Sequence, residues 1–211
     1  MDGSRWIRIT LGALGLTLLV SVALLIRTAQ GKRTAETSWN DLYALAMHAH
    51  AGMYVPVYET LTLDGDSVGL GDVHPGRRQV LYFFTTSCPY CKASIETWKS
   101  VARDVAGRPD VEVYGVGVDS ANLVAAYARE HGLSYPVTTT MDARWTRLFR
   151  VSGVPLTMVV DPGGQVSYAR RGQFSSEVLA DSLKAALDVP LVEEPKVPVT
   201  VPSVGSEAPS G

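Results

Sequence analysis

The chain has two cysteines in 211 residues, and they stand three positions apart in Cys88-Pro89-Tyr90-Cys91. This tetrapeptide joins two different periodicities. Before it, Val80-Leu81-Tyr82-Phe83-Phe84 is short, apolar and rich in β-branched and aromatic residues, which reads as a buried strand. After it, Ile95, Trp98, Val101, Ala102 and Val105 recur at spacings of three and four, with Lys99, Arg103 and Asp104 between them. That is one apolar face of a helix. Pro89 suits the first helical position, where a missing N–H costs nothing. The first cysteine therefore falls at a helix N-terminus, where unpaired N–H groups and the helix dipole stabilise negative charge, a thiolate included. Cys91 lies one turn further in, within reach of the first. The pattern suits a dithiol in which one sulfur is exposed and attacks while the deeper one resolves the mixed disulfide.

Half a zinc site has the same spacing. A second CxxC is absent, however, and His48, His50, His74 and His131 show no ligand spacing beside the pair. Two inert buried cysteines are the other bland reading, since free cysteine usually behaves as a small hydrophobe. The strand–CxxC–helix context favours redox chemistry, with no metal or cofactor expected. Net charge is −2, and neither a basic stripe nor an RNA-binding motif is present, so no nucleic-acid partner is expected.

Ile9 to Ile26 is an 18-residue run without a charge. At about 1.5 Å per residue it spans roughly 27 Å, enough for a bilayer core. It is long for the apolar part of a signal peptide, and Arg27 would occupy an unfavourable position ahead of a cut after Ala29. The reading is an uncleaved transmembrane anchor. Arg5 and Arg8 before the span nearly balance Arg27, Lys32 and Arg33 after it, so charge does not set the orientation. Dithiol chemistry in an oxidising compartment places the domain outside. The expected organisation is a tail over 1–8, an anchor in the lipid bilayer over 9–27, and a linker over 28–54. A domain over 55–188 and a disordered Pro-rich tail over 189–211 follow. Trp39, Leu42, Leu45 and Ala46 give the linker a short helical pattern, with Trp39 read as a packing or linker residue. His48 and His50, two residues apart, do not share a helix face and are read as ordinary surface histidines.

Within the domain, Asp64-Gly65 signals a tight turn between two short runs, a hairpin ahead of the main strand. Pro75-Gly76-Arg77 turns into that strand. Val111 to Val118 reads as a second strand. A helix capped by Asp119 or Ser120 runs to about Glu130 and ends at His131-Gly132. Tyr135 to Thr139 is a short strand, and Ala143 to Phe149 a short helix after Asp142. Pro155 opens an apolar run to Val160, the turn Asp161-Pro-Gly-Gly164 follows, and Gln165 to Gly172 returns antiparallel. Ser175 or Ser176 caps a last helix carrying Val178, Leu179, Leu183, Ala186 and Leu187. Strands alternating with helices make this an α/β domain with at least one parallel crossover.

Taken in order, these features resemble the thioredoxin superfamily, and within it the membrane-anchored TlpA/ResA/CcmG-like proteins of bacteria, with MauD-type proteins near by. The resemblance covers about residues 55–188. It rests on LTLDGDSVGLGDV, LYFFTTSCPYC, YGVGVDS, SGVPLTMVVDPGGQV and Gly172. It implies a thioredoxin-like fold, with a four- to five-stranded mixed sheet, helices on both faces and an N-terminal hairpin. It also implies a thiol–disulfide oxidoreductase with Cys88 as nucleophile, Cys91 as resolving cysteine and Pro155 as a cis-proline facing them. Val154 would offer backbone groups to an extended substrate by strand addition. Pro89 and Tyr90 complete the expected substrate-binding set. The implied partners are protein thiols or disulfides, such as apocytochrome c or another metalloprotein, and a DsbD/CcdA-like membrane redox donor. The implied location is the bacterial cytoplasmic membrane, single-pass, with the domain on the periplasmic or outer side.

Three positions depart from that family. Ser87 stands where many relatives have Trp, Tyr82 where thioredoxins have a buried Asp, and Ser94 where the anchored reductases often have Glu. The usual proton acceptors for the resolving thiol are absent at both of the latter positions, and helix spacing sets neither Lys92 nor Glu96 beside Cys91. Two other functions fit parts of the pattern. A thioredoxin-fold copper metallochaperone would use two thiolates and a histidine, but that family has three residues between its cysteines. A peroxiredoxin-like peroxidase would match Thr85-x-x-Cys88, but Leu81 stands where its proline is expected.

Overall fold

The computed structural model describes residues 11, 14–27, 41–71, 76–139 and 142–191. The expected hairpin is present. Strands β1 (Tyr58–Leu61) and β2 (Ser67–Leu70) pair antiparallel as a two-stranded sheet, turning through Gly65 at φ +92°. That φ suits glycine, which has no Cβ to clash.

The main sheet is built from β3 (Arg78–Phe84), β4 (Val111–Gly117), β5 (Val137–Thr139), β6 (Leu156–Val160) and β7 (Val166–Arg171), in the order β5-β4-β3-β6-β7. β3 pairs parallel with β4, and β4 parallel with β5. On the other side β3 pairs antiparallel with β6, and β6 with β7. Helices α1 (Pro89–Asp104), α2 (Ala121–His131), α3 (Ala143–Leu148) and α4 (Glu177–Asp188) fill the connections and close the chain.

The central strand β3 is buried along its whole length. Its alternate residues face two cores. Val80, Tyr82 and Phe84 pack with Ile95 and Trp98 of α1, Tyr127 of α2 and Leu183 of α4. Leu81 and Phe83 pack with Met53, Leu70, Phe149 and Met158 on the opposite face. Helices thus lie on both faces, although the second is covered mainly by the hairpin, the segment around residues 49–55 and the short α3.

β3 begins two residues before the apolar run. Arg78 and Gln79 belong to it because each has buried partners. Arg78 donates to Asp161 Oδ1 (2.8 Å) and to the carbonyl of Leu187 (2.6 Å), while Gln79 binds the backbone of Gly69 and Gly71. Polar groups so satisfied can enter a core that sequence pattern reserves for apolar residues.

Most helix ends match their sequence signals. Pro89 occupies the first turn of α1, Asp142 accepts from the N–H of Arg144, and Ser176 accepts from that of Leu179. Gly132 ends α2 in the left-handed region at φ 56°. At the start of α2 the outcome differs: Ser120 is at the N-cap without a side-chain bond, and the Asp119 carboxylate is directed to Thr86 instead.

Residues 14–27 and 41–47 are helical. Among the described residues no helix is long and apolar enough to cross a membrane. The expected span starts at Ile9, outside the described residues, as do the 1–8 tail, Trp39 in the linker, and the tail from 192 onward.

Candidate active site

β3 ends at Phe84, and a four-residue loop delivers Cys88 to the N-cap of α1. There its sulfur accepts the backbone N–H of Cys91 at 3.3 Å. Pro89 and Tyr90 are exposed on the rim, Tyr90 by 60%. The two thiols are free and differ in access: Cys88 is half-buried, whereas Cys91 is fully buried. Burial, and then the neighbouring Cys88, push the Cys91 thiol up to about 12, against a lowering contribution from the backbone of Thr85. Near neutral pH Cys91 is therefore a protonated thiol held beneath a more accessible sulfur.

β6 brings the facing wall. The Val154–Pro155 bond is cis, as the resemblance implied. The carbonyl of Val154 lies 3.8 Å from the sulfur of Cys88. Pro155 is buried, and its carbonyl accepts from Gly172 N at 2.8 Å. Two residues further on, Thr157 Oγ1 accepts from the indole N–H of Trp98 at 3.0 Å. That buried bond clamps α1 to β6 and fixes the cysteine helix against the cis-proline loop. Strand and helix thus bring together all six residues singled out in the sequence: Cys88, Pro89, Tyr90, Cys91, Val154 and Pro155.

The structure also shows what stands at the unusual positions. Tyr82 is fully buried and stacks on Trp98, with ring centroids 5.0 Å apart, while Tyr135 meets it edge-on at 5.4 Å. Burial raises its pKa well above the phenol range. Ser94, also fully buried, accepts from Phe174 N (2.8 Å) and donates to the carbonyl of Tyr90 (2.7 Å). Glu96 pairs with Lys99, and Lys92 is exposed.

Two further residues bear on the dithiol. Asp119 Oδ2 accepts both the backbone N–H (2.6 Å) and the hydroxyl (2.9 Å) of Thr86, bracing the loop that carries Cys88. Its charge also adds to the upward shift of Cys91. Tyr127 is buried, and its phenol is pushed up to about 12 by burial and then by Cys91 and Cys88. The sequence marks Asp119 only as a candidate helix cap, and its role as a brace follows from the strand register. β3 and β4 run parallel with Phe84 opposite Gly117, so the residues two beyond each, Thr86 and Asp119, come level. Tyr127 has no comparable signal, because its apolar spacing is that of any core residue. Among the described residues, no three His, Cys, Asp or Glu side chains form a group able to hold a metal ion.

A mixed sheet with a dithiol at a strand-to-helix turn and a cis-proline opposite it is a thioredoxin-like α/β fold. The chain belongs to the AhpC/TSA family, which it matches over residues 51–169. It is 25% identical over 118 residues to the thiol-disulfide oxidoreductase ResA of Oceanobacillus iheyensis, covering 56% of this chain and 60% of that protein. The chain thus spans less than two thirds of that relative's length. It is 23% identical over 146 residues to ResA of Bacillus subtilis, covering 69% of this chain and 80% of that protein. Among solved structures, a thioredoxin-family thiol:disulfide interchange protein of Chlorobium tepidum TLS superposes with a TM-score of 0.54 at 25% identity. The match covers 65% of this chain and 98% of that one.

Proposed function

We propose that this chain is a thiol–disulfide oxidoreductase acting on protein thiols and disulfides, with Cys88 as the exchanging sulfur and Cys91 as the resolving one. The observation that carries this reading is the unequal pair. An accessible sulfur sits at a helix N-cap, 3.8 Å from the Val154 carbonyl, over the buried thiol of Cys91, whose backbone N–H points at it. In the reducing direction, the Cys88 thiolate attacks one sulfur of a substrate disulfide. That S–S bond breaks, a Cys88–substrate disulfide forms, and the released substrate thiolate takes up a proton. Cys91 then loses its proton and attacks Cys88. The intramolecular disulfide forms, the second substrate thiol leaves, and two electrons have passed to the substrate. Oxidation of a substrate dithiol is the same sequence reversed. Val154 presents backbone groups to an extended substrate segment, Pro155 shapes that wall, and Pro89 with the exposed Tyr90 forms the opposite rim.

The reading extends to location and partners. The apolar run from Ile9 to Ile26 supports a single-pass anchor over 9–27, with the domain outside the cytoplasm. Substrates there would be the cysteines of apocytochrome c or of another metalloprotein, and a DsbD/CcdA-like membrane protein would exchange electrons with the dithiol. The test uses cysteine variants of the full chain and a disulfide-bonded protein substrate. Cys88→Ser abolishes reduction, whereas Cys91→Ser accumulates a covalent adduct through Cys88 that dithiothreitol releases. Full turnover by Cys88→Ser would overturn the assignment.

A further inference from the structure

Basic side chains near the two ends of the sheet differ in their ion pairing. Where β3 begins, they have carboxylate partners. Arg77 pairs with Glu112 (2.8 Å), Arg78 with Asp161 (2.8 Å), Arg108 with Asp110 and Asp188 (2.8 and 2.7 Å), and Lys184 with Asp181 (3.0 Å). The loop Val151–Pro155 lies at the other end, beside the dithiol. On its flanks Arg144, Arg147, Arg150, Arg170 and Arg171 form no ion pair among the described residues.

Two of these arginines frame the loop itself. Arg171 Nη1 lies 3.3 Å from Ser152 Oγ and 3.2 Å from His48 Nδ1, and that ring nitrogen is 2.6 Å from the same hydroxyl. The Arg171 side chain also passes over Gly153, where its Cδ would stand 3.5 Å from an added Cβ. Arg150 Nη1 reaches His50 Nε2 at 2.9 Å and donates to the carbonyl of Leu45. From Ser152 to Val154 is at most about 7 Å of extended chain. A segment laid along Val154 to present its sulfur to Cys88 therefore passes the Arg171 guanidinium within a residue or two. The chain as a whole carries −2, so this positive region is local and opposite in sign to the net charge.

We propose that the surface centred on Arg171 and Arg150 docks an acidic segment flanking the reacting cysteine of the protein substrate, selecting acidic partners for the exchange. This rests on the oxidoreductase reading. An anionic lipid surface has matching charge but suits the position less well: a bilayer pressed onto Arg171 would cover the rim through which Cys88 is reached.

The test measures second-order rate constants for reduction, by the reduced full chain, of disulfide-containing peptides flanked by Asp, by Ser or by Lys. At low salt the Asp peptide reacts about tenfold faster than the Ser peptide. High salt brings the two close to parity. Arg171→Gln shrinks the preference, and Arg171→Glu turns it toward the Lys peptide. Equal rates for all three peptides at low salt overturn the proposal while leaving the oxidoreductase reading in place. So does a preference that survives both variants while binding to phosphatidylglycerol/phosphatidylcholine vesicles is lost, since the surface then faces lipid. Failure to reduce any of the peptides sinks the oxidoreductase reading itself, and this proposal with it.

Discussion

The backbone N–H of Cys91 points at the sulfur of Cys88 from 3.3 Å, so the residue that buries its own thiol also supplies a donor to its partner. Access is thereby divided between two sulfurs one helical turn apart, and the buried Cys91 is the one held protonated. When the reduced full chain is treated with iodoacetamide at neutral pH, Cys88 should be labelled while Cys91 stays unmodified until the protein is denatured. Peptide mass mapping reads this directly. Equal labelling of both in the native state would contradict the division.

The same burial couples stability to pH. Cys91 rises from 9.0 to about 12 on folding, so between those values the folded chain holds a proton that the unfolded chain has lost. Stability from this source is complete below about pH 9 and drains away as pH rises toward 12. Buried tyrosines act in the same direction in both redox forms, but the Cys91 contribution disappears once the disulfide forms. Urea unfolding of the reduced and oxidised proteins across this range should show the steeper alkaline decline in the reduced one. Parallel declines would remove Cys91 as its source.

Ser94 ties α1 to the segment leading into α4: its fully buried hydroxyl accepts the N–H of Phe174 and donates to the Tyr90 carbonyl within its own helix. Ser94→Ala leaves the Phe174 N–H without its partner in the core, which costs about 1–3 kcal/mol. The urea midpoint should fall accordingly, with an unchanged dependence on denaturant.

Asp119 holds two donors of Thr86 and adds to the upward shift of Cys91. Removing it in Asp119→Ala should cost about 1–2 kcal/mol, below the full value for charged hydrogen bonds because water reaches this half-buried site. The Cys91 titration, followed by ultraviolet thiolate absorbance, should move downward. Asp119→Asn keeps the shape of the brace and should recover part of the stability but not the titration shift.

Much of this arrangement was legible in the sequence because local chemistry and tertiary position agree there. A strand, two cysteines and a proline at the first helical turn specify the sulfur geometry with few alternatives, and Asp142, Gly132 and Ser176 mark their helix ends by the bonds they make or the φ they adopt. Legibility fails where long-range partners override local preference. Arg78 enters the buried strand through groups remote in sequence, Gln79 through the backbone of the neighbouring hairpin, and Asp119, a natural helix cap, is taken by Thr86. Tyr82 is a third case. Its alternation within β3 announces burial, but only the structure shows an aromatic stack with Trp98 and Tyr135 at that position. The arginines beside the cis-proline loop come from α3, the loop after it and β7, so no sequence window displays them as a group.

The most direct test is the redox equilibrium of the Cys88/Cys91 pair, poised against glutathione or dithiothreitol buffers and read by thiol counting. The exchange mechanism requires a single couple in which both thiols disappear together, the oxidised-to-reduced ratio changing tenfold for every ~30 mV as a two-electron step demands. A potential near or below about −230 mV would mark a reductant, and one nearer about −120 mV an oxidant. A chain that forms no Cys88–Cys91 disulfide at any poise would contradict the exchange mechanism outright.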